Sequence, residues 1–169
     1  NGVWFKCVSV FDISQTEGKE IPKWSIRPEN DADDFGLYDV LQKQLEAKNI
    51  KVEIAELNGP LGISYGGLIK IEKNQNQISK FLTLIHEAAH EILHKTIEGK
   101  KLSTQDKECQ AEASAYIVAS HFGLENIVSV DYLLNWGNDE KNFLKNLSDV
   151  IKASEEILEM LSVNKVENV

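Results

Sequence analysis

Several residue types that define specialised protein classes are scarce in this chain of 169 residues. Its two cysteines, Cys7 and Cys109, are too few for a disulfide scaffold, and their apolar neighbours favour small buried side chains. The longest apolar runs are interrupted well before the roughly 20 residues that a membrane span requires. The N-terminus lacks a basic segment followed by an apolar one, so no export signal is visible. We therefore expect a cytoplasmic location and no membrane partner.

Positive charge is also scarce. The chain has 18 Lys and Arg residues against 27 Asp and Glu, a formal net charge of −9, and its single arginine is Arg27. Because phosphate contacts require clustered Lys and Arg, this balance argues against nucleic-acid binding by the chain itself. The length and the hydrophobic share of 42% suit one globular domain. Since the chain begins with Asn1, we expect residues 1–169 to be a single domain cut from a longer protein.

The residue pattern changes from strand-like to helical along the chain. Residues 3–11 predict a strand, and the alternating segments 51–57 and 65–72, separated by a turn rich in Gly and Pro, predict a small antiparallel sheet. The spacing of apolar residues then predicts helices over 32–48, from 77 to near 99, and over 104–122, 126–135 and 138–162. With the sheet first and a helical bundle after it, the predicted fold class is α+β.

The string HEAAH at 86–90 lies inside the helix that begins near residue 77. His86 and His90 are one turn apart on one helix face, a geometry in which both imidazoles can bind one zinc ion. In HExxH enzymes the carboxylate corresponding to Glu87 takes a proton from the metal-bound water and passes it to the leaving amine. Ordinary hydrogen-bonded helix histidines are the alternative. The position of the motif, mid-helix and followed by an acidic helix, favours the metal site.

A catalytic zinc site needs a third protein ligand and an open position for water. A metzincin-type third histidine would fall at position 96, which is Thr96, so that arrangement is excluded. His94 lies two helical turns from His86, about 12 Å along the axis, which is too far to bind the same ion. We interpret His94 as a packing residue. The remaining option is a carboxylate on the next helix.

Three carboxylates on that helix are candidates, namely Asp106, Glu108 and Glu112. Glu112 is favoured because the small residues around it would let the helix pack closely against HEAAH. Glu108, one turn earlier, could orient a ligand histidine, although alone it is more often a solvated carboxylate. The strand over 66–71 could align an extended peptide by main-chain pairing, and an ordinary internal strand explains the segment equally well. A donor for a developing oxyanion could come from three side chains that are more often packing residues, Tyr65, Tyr116 and His121.

Several sequence segments of the chain resemble those of a known protein family. TLIHEAAHEILH at 83–94 and ECQAEASAYIVASHFGL at 108–124 resemble the ImmA/IrrE group of zinc metallopeptidases. The likeness is greater to the peptidase domain that follows the single-stranded-DNA-binding region of ArdC-type antirestriction proteins. Residues 10–18 are similar to the segment that joins those two regions, and 132–158 to the end of such domains. Ala88 stands where the family usually has Leu.

The resemblance implies a zincin-like fold with zinc bound by His86, His90 and Glu112, and with Glu87 as the catalytic acid and base. It implies a zinc endopeptidase that acts on a regulatory or defence protein of a mobile-element setting, with a DNA-binding region upstream of this chain. The alternative from a different class is a zinc-stabilised antirestriction or interaction module that does not need proteolysis. A plain helical domain without metal ranks last.

Overall fold

The computed structural model describes residues 34–95, 99–124 and 140–162. These residues form a three-stranded sheet and four α-helices, so the predicted α+β class is confirmed. The elements, in chain order, are α1 (Leu37–Ala47), β1 (Lys51–Ala55), β2 (Gly62–Ser64), β3 (Leu68–Glu72), α2 (Gln77–His94), a short 3-10 helix (Gly99–Lys101), α3 (Thr104–His121) and α4 (Glu140–Ser162). The predicted strand over 3–11 and helix over 126–135 lie outside the described residues.

The sheet is mixed, with the strand order β1–β3–β2. β3 pairs in parallel with β1, where Val52 is opposite Ile69, and antiparallel with β2, where Ile63 is opposite Lys70. The predicted antiparallel sheet is therefore wrong for the β1–β3 pair. The reason is β2, a three-residue strand inside the segment that the sequence predicts as a turn. It carries the chain to the far edge of the sheet before β3 returns through the centre.

The central position of β3 changes which strand could bind a peptide. Because β3 is paired on both sides, it has no free edge, so of the two interpretations of residues 66–71 the internal strand is confirmed and the peptide-aligning strand is wrong. Among the described strands, β2 is at one edge of the sheet and lies against α2. Any main-chain pairing next to the HEAAH helix would therefore use β2.

α2 is the central helix of the described residues. The Asn76 side chain caps it by accepting a hydrogen bond of 2.9 Å from the backbone N–H of Ser79. The sheet and the helices α1, α3 and α4 all contact α2, so its apolar residues are buried on more than one face. Fully buried side chains include Phe81, Leu84 and Ile85. Burying each such side chain adds about 1.5–3 kcal/mol to the free energy of unfolding, relative to leaving it exposed.

α3 combines small residues with buried polar ones. Ser103 caps its N-terminus by accepting a hydrogen bond of 3.1 Å from the backbone N–H of Asp106. Ala111, Ala115 and Ala119, spaced four residues apart, belong to the hydrophobic core, and their small size allows close packing of neighbouring helices. α4 packs against α3, and polar side chains of both helices are buried, among them Gln110 and Asn146. In the described part of the chain no helix combines the length and apolar character needed to cross a membrane.

Candidate metal centre

His86, His90 and Glu108 bring their donor atoms to one place. The Nε2 atoms of His86 and His90 are 3.1 Å apart. Glu108 lies across both rings, with Oε2 at 3.4 Å from His86 Nε2 and Oε1 at 3.5 Å from His90 Nε2. One ligand atom from each of the three residues can be chosen so that all lie within 4.8 Å of one another.

These separations fit a tetrahedral metal ion. Nitrogen and oxygen ligands lie about 2.0–2.1 Å from zinc, which places two tetrahedral ligand atoms about 3.3 Å apart. The distance of 3.1 Å between the two Nε2 atoms is close to that value, and each Nε2 atom has a different Glu108 oxygen at 3.4 or 3.5 Å. Two unprotonated imidazole nitrogens this close repel each other unless a cation lies between them. The group could therefore hold a metal ion, and imidazole with carboxylate is a donor set that suits zinc.

The second ring nitrogen of each histidine has its own partner. His86 Nδ1 lies 3.1 Å from Glu112 Oε2, and His90 Nδ1 lies 2.8 Å from His94 Nδ1. A carboxylate only accepts hydrogen bonds, so His86 Nδ1 carries a proton and Nε2 is the nitrogen left for a metal. Glu112 thereby fixes the orientation of the His86 ring, as outer partners of metal-binding histidines commonly do.

The two α3 carboxylates are placed differently from the sequence expectation. The sequence favours Glu112 as the ligand and Glu108 as the residue that orients a histidine, whereas in the structure Glu108 faces both Nε2 atoms and Glu112 faces Nδ1 of His86. Both carboxylates lie on one face of α3, one turn apart. Which of them reaches the ion depends on how far α3 is shifted along α2, and residue spacing does not determine that shift. Asp106, the third candidate, accepts a hydrogen bond from the Ser103 hydroxyl at the start of α3.

The electrostatics of the site favour a bound positive charge. Burial alone would lower the pKa of His86, but hydrogen bonds to Glu108 and Glu112 outweigh it and raise that pKa to about 10. Hydrogen bonds to His86 and His90 hold the pKa of Glu108 well below its usual range. A proton is therefore strongly held between these groups when no metal is bound. A divalent cation would satisfy the same negative charge.

Glu87 lies where two pockets meet, and its side chain is almost fully buried. Burial raises the pKa of this carboxyl. One pocket of about 290 Å³ is largely apolar and is lined in part by Leu61, Leu82 and Ala115. The other, of about 340 Å³, is more polar and extends along Ser64, Lys95 and Lys107. The residues that line both are Gly62, His86, Glu87 and Glu108.

Gly62 is the point where β2 meets the HEAAH helix. A Cβ atom at this position would lie 2.6 Å from Thr83 Cγ2 and 2.8 Å from Glu87 Oε1, distances that real Cβ atoms do not show. Any side chain here would displace the Glu87 carboxylate. The sequence marks Gly62 only as a turn residue. Its role follows from the approach of β2 to α2, which no local pattern records.

Glu91 attaches the β2–β3 hairpin to α2. Its two carboxylate oxygens accept hydrogen bonds of 2.8 Å each from the backbone N–H groups of Gly66 and Gly67, both of which have positive φ. One turn later, Lys95 Nζ donates to the Ser64 carbonyl at 3.0 Å. These contacts fix the position of β2 relative to the histidines. Sequence reasoning missed Glu91, although its place directly after His90 was a signal.

The remaining predicted residues lie outside the donor group. The side chain of His94 is buried, its Nε2 lies 2.9 Å from Gln110 Oε1, and burial lowers its pKa to about 4. Tyr65 is 56% exposed and lies beside Lys70. Tyr116 packs partly buried against the core, and His121 is exposed at the end of α3. The structure does not bring either tyrosine or His121 to the walls of the two pockets.

No family model, curated protein or solved structure matches this chain. The likeness to the ImmA/IrrE group therefore stays a prediction from the strings at 83–94 and 108–124. The site itself is a His-His-Glu group that could hold a metal ion, with Glu87 beside it.

Proposed function

We propose that this chain is a zinc-dependent endopeptidase with His86, His90 and Glu108 as metal ligands and Glu87 as the general base. The observation that supports it best is the grouping of His86, His90 and Glu108 next to Glu87, in a pocket beside an edge strand. Three protein ligands leave a fourth tetrahedral position for water, whereas structural zinc sites are usually closed by four. When bound, zinc would supply a Lewis acid and a water of lowered pKa.

Glu87 is suited to proton transfer. Burial raises the pKa of the Glu87 carboxyl, which moves that pKa toward neutral pH. The carboxylate would take a proton from the attacking water and deliver it to the nitrogen of the leaving amine. Gly62, which has no side chain, leaves the space that the carboxylate occupies.

β2 offers main-chain groups to a peptide substrate. The Leu61 carbonyl accepts from the Glu72 N–H, and the Tyr65 N–H donates to the Leu68 carbonyl, so both residues face β3. In an antiparallel pair this alternation turns the backbone groups of Gly62 and Ser64 to the opposite side. An extended peptide could pair there while the apolar pocket of about 290 Å³ accepts one of its side chains. A regulatory or defence protein as the substrate rests on the family resemblance alone.

Metal analysis of the chain purified without chelators tests the first step. We expect one zinc ion per chain, its loss in His90→Ala, and a greater loss of zinc in Glu108→Gln than in Glu112→Gln. The reverse order of the two carboxylate variants would make Glu112 the ligand. Glu87→Gln should keep zinc and lose peptidase activity on an unfolded protein substrate. A native protein that contains no zinc would contradict the proposal.

The second candidate is a zinc-stabilised interaction or antirestriction module. One observation favours it, namely that His90 is connected to polar side chains buried between three helices, so a bound metal would also stabilise the helix packing. A buried Glu87 favours the enzyme, because a structural site needs no base. The Glu87→Gln variant of the full-length protein separates the two, since unchanged biological activity with zinc retained would favour the module.

A further inference from the structure

His90 is the first member of a line of buried polar side chains that leads away from the metal centre. His90 Nδ1 lies 2.8 Å from His94 Nδ1, and His94 Nε2 lies 2.9 Å from Gln110 Oε1. Gln110 Nε2 then donates to Asn146 Oδ1 at 2.7 Å and to Asp149 Oδ2 at 3.2 Å. His94, Gln110 and Asn146 are 4%, 0% and 2% exposed. The line crosses α2, α3 and α4.

Asp149 determines the direction of these hydrogen bonds. A carboxylate only accepts, so Gln110 must present its amide nitrogen to Asp149 and its oxygen to His94. The amide oxygen also only accepts, so the N–H of His94 is on Nε2. The side chain of His94 is buried and its two ring partners, His90 and Gln110, carry no carboxylate, so His94 holds a single N–H, which leaves its Nδ1 as an acceptor.

The tautomer of His94 also determines that of His90. Because His94 Nδ1 accepts, His90 must donate through Nδ1–H, and its Nε2 is left without a proton. That Nε2 atom is the one 3.1 Å from His86 Nε2 and 3.5 Å from Glu108 Oε1. The helix packing of α3 and α4 thereby selects the tautomer in which His90 can bind a metal.

We propose that His94 and Gln110 are positioning residues of the metal centre, which hold His90 in the tautomer with a free Nε2 and fix the plane of its ring. This role rests on the proposed function above. Glu112 does the same for His86 with a carboxylate, whereas His90 has a second imidazole held by a buried amide. Loss of such an outer partner typically costs about 10–100-fold in metal affinity.

Zinc affinity, measured by competition with a chromophoric chelator, tests the role of His94. His94→Phe keeps a ring of similar size but cannot accept a hydrogen bond, and we expect its zinc affinity to fall about 10–100-fold. His94→Gln supplies an acceptor oxygen and should recover part of the loss. His121→Phe makes the same replacement at the exposed end of α3 and should leave the affinity unchanged.

Two further measurements address Gln110 and the tautomers. Because His94 and Gln110 act through one line of hydrogen bonds, the double variant His94→Phe/Gln110→Leu should lose far less than the sum of the single losses. Nitrogen NMR of the zinc-loaded native chain should find His90 protonated only at Nδ1 and His94 only at Nε2. A proton on Nδ1 of His94 would overturn the assignment.

The outcomes separate this role from the proposed function. A native chain that binds no zinc overturns both. If the native chain binds zinc and folded His94→Phe binds it with the same affinity, the role of His94 alone is overturned. A His94→Phe variant with a lowered melting temperature and unchanged zinc affinity would overturn it as well. Should His94→Phe fail to fold, His94→Gln and the tautomers of the native chain decide the matter.

Discussion

The two histidines of HEAAH are supported in different ways. His86 contacts Glu108 and Glu112, whose side chains are 47% and 16% exposed, so its surroundings are charged and partly hydrated. His90 contacts His94, which continues into buried neutral groups on two other helices. Both rings face Glu108, but the second nitrogen of His86 faces a carboxylate, whereas that of His90 faces neutral groups held by the packing of the fold. The two halves of the site should respond differently to mutation and to pH.

The largest expected effect is on the packed half, from Gln110→Leu. The change removes the Gln110 partner of two buried polar atoms, His94 Nε2 and Asn146 Oδ1, each at a cost of about 1–3 kcal/mol in the free energy of unfolding. Urea unfolding of the zinc-free chain at neutral pH measures it. Gln105→Leu, on an exposed position of the same helix, is the matched control and should change stability little. If Gln110→Leu and Gln105→Leu lowered the free energy of unfolding equally, the surroundings of His90 would not be held by helix packing.

Gly62→Ala should reduce peptidase activity about 100-fold while zinc binding is retained. The added Cβ would displace the Glu87 carboxylate by contact, and a misplacement of about 1 Å can cost that much in rate. Activity and metal content of the same preparation check it. Ile54→Ala, an exposed position on β1, serves as the control. If Gly62→Ala kept full activity, Glu87 would not be held where the structure places it.

Glu91→Gln tests the attachment of the β2–β3 hairpin. The amide replaces one of two acceptor oxygens and removes the charge, and a hydrogen bond to a charged group contributes about 1.5–3 kcal/mol. We expect the free energy of unfolding to fall by an amount near the lower end of this range. Amide hydrogen exchange at Gly66 and Gly67 should become faster. Glu56→Gln removes an exposed ion pair with Lys73 and should cost much less. Unchanged exchange at both glycines would contradict this role for Glu91.

The two halves should also differ in the sign of their pH dependence, because the pKa of His86 is raised and that of His94 is lowered. In the zinc-free chain the pKa of His86 is raised from 6.5 to about 10, so its protonated form stabilises the fold below pH 6.5. That contribution is lost as the pH rises from about 6.5 to about 10, so the free energy of unfolding should fall across this window. Glu112→Gln should flatten the fall. A fall of equal size in Glu112→Gln would exclude Glu112 as its cause.

Much of the site is predictable from the sequence because it lies within one helix. The apolar spacing predicts α2, and the positions of the two histidines and Glu87 on it follow from helix geometry. The positions of Glu108 and Glu112 relative to the two histidines, and the mixed sheet, were not predictable. Both depend on how separate elements dock against each other.

The sequence by itself therefore determined that two histidines share one helical face, because residues four apart in a helix must. It also determined the α+β class, because apolar spacing changes from strand to helix at about residue 77. Only the tertiary structure decided which α3 carboxylate faces the two Nε2 atoms, that Gly62 leaves space for Glu87, and that His94 lies between His90 and Gln110. Those relations join atoms on different elements, and their distances are set by packing, which no local pattern encodes.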